Sequence, residues 1–395
     1  MKLLRYKLTL FFNTFPSFSL SALFTSIFVQ PRLFSLPFLL FEPIKLKLNK
    51  WSLLLLINIV MAIFIPLVGF FFNRQISLLD LAYILSAVYA YLFVNATINK
   101  IDLFNKFIRF ILLINICYVF IQVILYYLNL SQFTMIHSNL PMQVEDQYSI
   151  PSGILFNFPR YSGLFIESGP FTFYLCLTYL YLLQQGVNFS IMYKVIVLSL
   201  IVLSQSKYLL IFVPVLLFES IFNKAFPRIY RTISRPLFAF MFTMLSSWFL
   251  LALIFSDFEI IQYLSATIPA FELRLEGIKY SLRTLFDLKL FGEGLLPSTF
   301  TLTNATFELA GLDAFSIVIL GYGLYGGAII LSSFIMFPVL ANIRYKYTFI
   351  AVLILGFLSS GSLLIPQYLF AITYTILAHN QNILFQKKKI NRLIS

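Results

Sequence analysis

The sequence predicts an all-α integral membrane protein, a single polytopic domain over residues 1–395 with about 11–12 transmembrane helices. Three observations predict it. Of 395 residues, 60% are hydrophobic and only 11% are charged, against about 45–50% and about 25% in an ordinary soluble chain. Apolar runs of spanning length recur from one end to the other. The basic residues fall mostly in short segments between those runs. A globule of this size could not hide so much apolar surface from water, which excludes a soluble enzyme, a nucleic-acid binder and a disordered chain. The net charge of +13 is therefore a topological signal rather than a nucleic-acid footprint.

In chain order, the opening MKLLRYK and its Phe-rich continuation resemble a signal peptide without a small-residue cleavage site. They are read as a retained membrane segment. The first 42 residues hold one or two spans, interrupted by Pro31 and Arg32. A span needs about 20 mostly apolar residues. Runs near that length stand at about 51–72, 78–97, 106–128, 169–185, 190–205, 208–222, 237–256, 314–337, 347–363 and 365–380. No internal repeat relates the two halves, as a transporter built from inverted repeats would show.

Alternation of these ten spans puts five basic groups on one side. They are Lys45, Lys47 and Lys50; Lys100, Lys106 and Arg109; Lys224, Arg228, Arg231 and Arg235; Arg344 and Lys346; and Lys387, Lys388, Lys389 and Arg392. With Lys194 they make 17 of the 28 Lys and Arg residues. That face is cytoplasmic by the positive-inside rule, and the C-terminus lies on it. Two long stretches fall on the opposite face, 129–168 and 257–313. Loops beyond about 12–15 residues are usually functional or disordered, and both carry aromatics, Gly, Pro and charges of both signs, which argues against disorder. Within the second, Leu275, Ile278, Leu282, Leu285 and Phe286 recur at helical spacing and predict an amphipathic helix.

The most informative stretch is Arg160-Tyr161-Ser162-Gly163-Leu164-Phe165-Ile166-Glu167-Ser168-Gly169-Pro170, where the first outer loop re-enters the membrane. A charge is costly there unless it is solvated, paired or bound to a ligand; at the bilayer centre the insertion cost is about 2.5–3.5 kcal/mol. Snorkelling of Arg160 and Glu167 to water is the plain alternative to a site. Gly163 and Gly169 permit positive φ or close backbone approach. In the second loop Arg274, Lys279, Arg283 and Lys289 run against the positive-inside bias, ahead of Phe291-Gly292-Glu293-Gly294. Glu272, Glu276, Asp287 and Glu293 could pair with them along a surface helix. The other reading is an anionic ligand, since guanidinium forks clamp phosphate bidentately and stay charged. Lys207, in Ser204-Gln205-Ser206-Lys207 at the outer end of a span, either snorkels or adds a cation to a pocket. Asp313 precedes Gly321-Tyr322-Gly323-Leu324-Tyr325-Gly326-Gly327, whose glycines most simply permit close helix packing.

Other chemistry is set aside quickly. Cys117 and Cys176 lie in apolar runs, and His137 and His379 are 242 residues apart. Neither a disulfide framework nor a metal centre is predicted. No Gly-x4-Gly-Lys-Ser/Thr loop occurs, so nucleotide-driven transport is not predicted. Acidic residues within the spans are few, which weighs against a proton-coupled transporter.

Taken in order, these stretches resemble the Wzy-like polysaccharide polymerases of the O-antigen polymerase/ligase family. That family ends its first outer loop with Arg-x-x-Gly-x-Phe-x-Glu/Asp-Pro at a helix start. Arg160, Gly163, Phe165 and Glu167 match, and Ser168-Gly169 displaces the proline to Pro170. A Ser-x-Ser-Arg/Lys motif is matched by Ser204, Ser206 and Lys207. Arg274, Gly292 and Gly294 fit the Arg, short helix, Gly-x-Gly order of the second loop, and Arg283 with Gly294 also fits Arg-x10-Gly. A ligase of this family carries a histidine in that loop, and 257–313 has none. The resemblance thus favours polymerase over ligase.

The resemblance implies a GT-C-like membrane fold in the bacterial cytoplasmic (inner) membrane. It also implies a metal-independent glycosyltransferase without cofactor, moving glycan between undecaprenyl-pyrophosphate carriers on the outer face. Arg160, Glu167, Arg274 and Arg283 become catalytic candidates, and Tyr161, Gly163, Lys207, Gly292, Gly294 and Asp313 substrate-binding ones. Membrane lipids and a chain-length regulator protein are the other implied partners. The alternatives are an O-antigen ligase, a lipid-linked oligosaccharide flippase, which would gather its charges in a central cavity, and an unrelated transporter.

Overall fold

A computed structural model of the chain describes residues 50–72, 101–128, 168–185, 190–204, 208–226, 300–302, 305–307 and 345–359 as continuous stretches. It also describes positions 4, 76, 80–81, 84–85, 87–88, 91–92, 161, 163, 206, 290–292, 318–323, 325–327 and 330. Six long helices lie in these stretches: α1 Lys50–Phe70, α2 Ile101–Tyr127, α3 Ser168–Gln185, α4 Ile191–Ser204, α5 Tyr208–Ala225 and α6 Lys346–Ser359. Each coincides with an apolar run of the sequence. Helical turns also appear within 80–92 and 318–330, inside two further runs. The runs at 237–256 and 365–380 lie outside the described residues, as do the N-terminal runs apart from Leu4 and the amphipathic segment 273–289.

By length and composition, Ile108–Leu125 of α2 is apolar enough to cross a membrane; Leu56–Phe70, Phe171–Gln184, Ile191–Ser204 and Lys346–Gly356 are shorter apolar helices. One departure from an all-helical reading is a short hairpin in the second long loop. Strands β1 (Phe300–Leu302) and β2 (Ala305–Phe307) pair antiparallel, Phe300 opposite Phe307. Its Phe and Thr residues suit a pleated ladder, and only Thr303 and Asn304 connect the strands.

Burial separates the helices by role. In α1 the buried positions are Asn58, Ala62, Ile65, Pro66 and Gly69, one stripe at helical spacing, while Leu53, Val60, Phe64, Leu67 and Phe70 are exposed. In α2 the stripe is Asn105, Ile108, Leu112, Asn115, Val119 and Gln122, with Phe110, Leu113, Phe120 and Ile121 exposed. Both helices therefore turn large apolar side chains outward, the reverse of a surface helix in water. Helix α3 is different. From Phe171 to Leu182 it is buried nearly all round, and it packs against α4, α5 and α6. It is the central helix of the described bundle.

Polar contacts fix the helices at two levels. At one, the Tyr181 hydroxyl donates to Asn105 Oδ1, tying the end of α3 to the start of α2. Nearby in sequence, the Arg109 guanidinium lies 5.6 Å from the Tyr193 ring at the start of α4, a cation–π distance. At the other level, Thr172 Oγ1 donates to Ser204 Oγ at 2.6 Å, joining the start of α3 to the end of α4. Helices α2 and α3, and α3 and α4, are thus antiparallel neighbours.

Helix α6 is capped from a distance. Its first N–H groups have no intrahelical acceptor, and the usual solution is a side chain just before the helix. Here Tyr345 stands at that position with φ 62°. The carboxylate of Glu219, on α5 and only 2% exposed, serves instead. It accepts from Tyr347 N (3.3 Å), Thr348 N (2.8 Å) and Thr348 Oγ1 (2.7 Å). Negative charge is favourable at this helix end. Glu219→Ala leaves three buried donors without that acceptor, and a loss of about 2–4 kcal/mol is expected. Glu219→Gln keeps one acceptor oxygen and should lose less than half as much. Thermal unfolding of the purified variants checks both, and native stability in the Ala protein would refute the cap.

Candidate functional site at the Gly163 turn

The stretch from Arg160 to Pro170 carries the densest set of candidate residues. Within it the structure describes Tyr161, Gly163 and the start of α3 at Ser168. Gly163 has φ +55°, the left-handed region in which side-chain-bearing residues are disfavoured. Gly163 is thus a turn position ahead of α3, where Pro170 occupies the first turn and no N–H is needed.

The turn is buried and held from three directions. From α2, Gln122 Oε1 accepts from Gly163 N at 3.1 Å, while its Nε2 reaches Gly163 O at 3.5 Å. From α3, the Phe171 ring closes over it: a Cβ on Gly163 would stand 2.7 Å from Phe171 Cε2 and 2.8 Å from Asn115 Oδ1. From α4, Leu203 O faces Tyr161 N at 3.5 Å. Asn115, Phe171, Thr172 and Ser204 are all fully enclosed, and Tyr161, Gln122 and Ser206 nearly so. Beyond Ser204, Ser206 O accepts from Leu209 N in the first turn of α5. The end of α4 thus forms one wall of the turn.

Gly292 belongs to a second construction on different elements. It has φ +74°, and a Cβ there would lie 2.6 Å from backbone atoms of Gly321 and Gly323. Gly323, at φ +68°, would in turn press a Cβ against Gly292 N and Leu290 O. Two backbones cross in contact, and Tyr325 N approaches Leu290 O at 3.4 Å. Phe291 stacks on Phe72 at 5.1 Å and tilts against Tyr325 at 6.5 Å. The glycines of 321–327 thus do two things. Gly321 and Gly323 seat the Leu290–Gly292 segment, whereas Gly326 supports close helix packing, its missing Cβ facing Ile65 of α1.

Comparison with family models, with curated proteins and with solved structures finds no match. The residues alone carry the reading.

Of the candidates, Tyr161 meets Leu203 at the end of α4, next to Ser204, Gly163 is gripped by Gln122 under Phe171, and Gly292 is seated on Gly321 and Gly323. Arg160, Glu167, Lys207, Arg274, Arg283, Gly294 and Asp313 lie outside the described residues. Sequence reasoning passed over Gln122 and Asn115. Their signal was available: with Asn105 they are polar residues on the same helical stripe of an otherwise apolar run.

Proposed function

We propose that this chain is a multi-pass polysaccharide polymerase of the bacterial inner membrane, working on lipid-pyrophosphate-linked glycans at the outer face. One observation carries most of the reading. The Tyr161–Gly163 turn and the end of α4 at Leu203–Ser204, some 40 residues apart in sequence, meet through Tyr161 N and Leu203 O at the common ends of α2, α3 and α4. These are two of the three stretches on which the family resemblance rests. The outward-facing Phe, Leu and Ile side chains of α1 and α2 support a lipid setting, because hydrocarbon rather than water suits such surfaces.

In this reading the donor glycan is joined to polyprenyl pyrophosphate, already a good leaving group. An acceptor sugar hydroxyl attacks the anomeric carbon and forms the new glycosidic bond. The bond from that carbon to the pyrophosphate oxygen breaks, and its electron pair leaves with polyprenyl pyrophosphate. Arg160, Arg274 and Arg283, assisted by Lys207, stabilise the charge that accumulates on the departing oxygen. Glu167 takes the acceptor proton as general base or orients Arg160. No nucleotide enters the step.

Deletion of the gene, followed by electrophoresis of the surface glycan, tests the proposal. Loss of polymerisation leaves single repeats on the final acceptor. Intact long chains in the deletion strain overturn the reading, as do repeats trapped on the cytoplasmic face, which indicate flipping instead.

A further inference from the structure

Gln122 lies on α2, 41 residues before the Gly163 turn that it grips. Along the buried stripe of α2, Val119 lies between it and Asn115, while Asn105, near the other end of the helix, accepts from Tyr181. The Gln122 primary amide matches the Gly163 peptide unit, which presents both a donor and an acceptor to it. The 3.1 Å contact from Gly163 N is a good hydrogen bond, whereas the 3.5 Å contact to Gly163 O is at the limit of one. The N–H bond therefore does most of the holding. Chain length then sets what is held. Three residues span at most about 11 Å and four at most about 14 Å. Arg160 and Glu167, three residues before and four after Gly163, are tethered within those distances of the point that Gln122 fixes.

We propose that Gln122 is a positioning residue, which anchors the left-handed Gly163 turn to α2 and so sets the placement of the reacting groups on either side of it. The proposal rests on the polymerase reading for its catalytic consequence, but not for the anchor itself. A displacement of about 1 Å can cost about a hundredfold in rate, so a loosened turn acts chiefly on turnover.

Two substitutions test it in the full-length protein in membranes. Gln122→Met keeps the length and removes the acceptor; Gln122→Glu keeps an oxygen facing Gly163 N–H. In the Met protein, kcat per folded molecule for lipid-linked repeat should fall about 10–100-fold, with KM changed less than about threefold. Amide exchange in the peptide covering 161–166 should accelerate about tenfold or more, while peptides of α2 and α3 keep native protection. The Glu protein should retain most of the native kcat and protection. A role in packing alone would lower the amount of folded protein and spare kcat. Native kcat in the Met protein, or equal losses in Met and Glu, overturns positioning. If the native protein makes no polymer at all, the polymerase reading has failed and exchange alone judges the anchor. Faster exchange at 161–166 in Met but not in Glu then upholds it, and unchanged exchange in Met refutes it.

Discussion

Arg160→Ala is expected to abolish long glycan while leaving the protein at its native level in the membrane. Under the proposed function, the reason is the charge that develops as the donor bond breaks. Removing one preorganised donor at such a charge costs about 10²–10³ in turnover, which over many successive additions erases the long-chain product. Arg160→Lys should rescue poorly. An ammonium is a strongly hydrated point charge and cannot reproduce the paired N–H groups that a guanidinium offers to phosphate oxygens. Surface-glycan electrophoresis beside quantitative blotting of the protein separates lost chemistry from lost protein. Full-length glycan from both the Arg160→Ala and Arg274→Ala proteins would return these arginines to the role of interfacial charges.

The second large effect is structural and falls on Gly292. An added Cβ there meets backbone atoms of Gly321 and Gly323 at 2.6 Å, and main chain cannot rotate out of the way as a side chain can. Its φ of +74° adds about 1–2 kcal/mol for any residue bearing a Cβ. With overpacking at about 1–3 kcal/mol or more, Gly292→Ala should lose about 3–5 kcal/mol, enough to detach the Leu290–Gly292 segment from its seat. Gly163→Ala makes a useful contrast. Its Cβ meets the edge of the Phe171 ring and the tip of Asn115, groups that can yield by a few tenths of an ångström. A smaller loss of about 2–3 kcal/mol is expected. Thermal unfolding of both purified variants measures the difference; equal stability would mean that the two crossings tolerate a methyl group alike.

These two glycines mark where legibility in the sequence ends. Helices α3 and α4 could be read to within about two residues, because an unbroken apolar run is also an unbroken helix when polar and charged segments flank it. Helix α2 begins at Ile101 rather than near 106. Its first two turns carry Asp102, Asn105 and Lys106, which end a hydropathy window but not a hydrogen-bonding ladder. That Gly163 and Gly292 are special was legible in their motifs, since only glycine suits a left-handed crossing. What each crosses was not. Gln122 and Gly163 are 41 residues apart, and Leu290 meets Tyr325 across 35. The choice of partner is a tertiary decision that composition cannot encode. The β1–β2 hairpin was missed for a different reason: three-residue strands are too short to show alternation against a Phe-rich, Thr-rich background.

Glu219 and its partners Tyr347 and Thr348 are 128 and 129 residues apart, which makes the cap on α6 also a matter of timing. At about 5–20 residues per second, roughly 6–25 s of synthesis separate the carboxylate from the amides that complete it. Through that interval the Glu219 carboxylate lacks the Tyr347 and Thr348 donors that it meets in the finished fold. The residue that steadies the finished bundle is thus the first half of a contact that the chain completes only late in its synthesis.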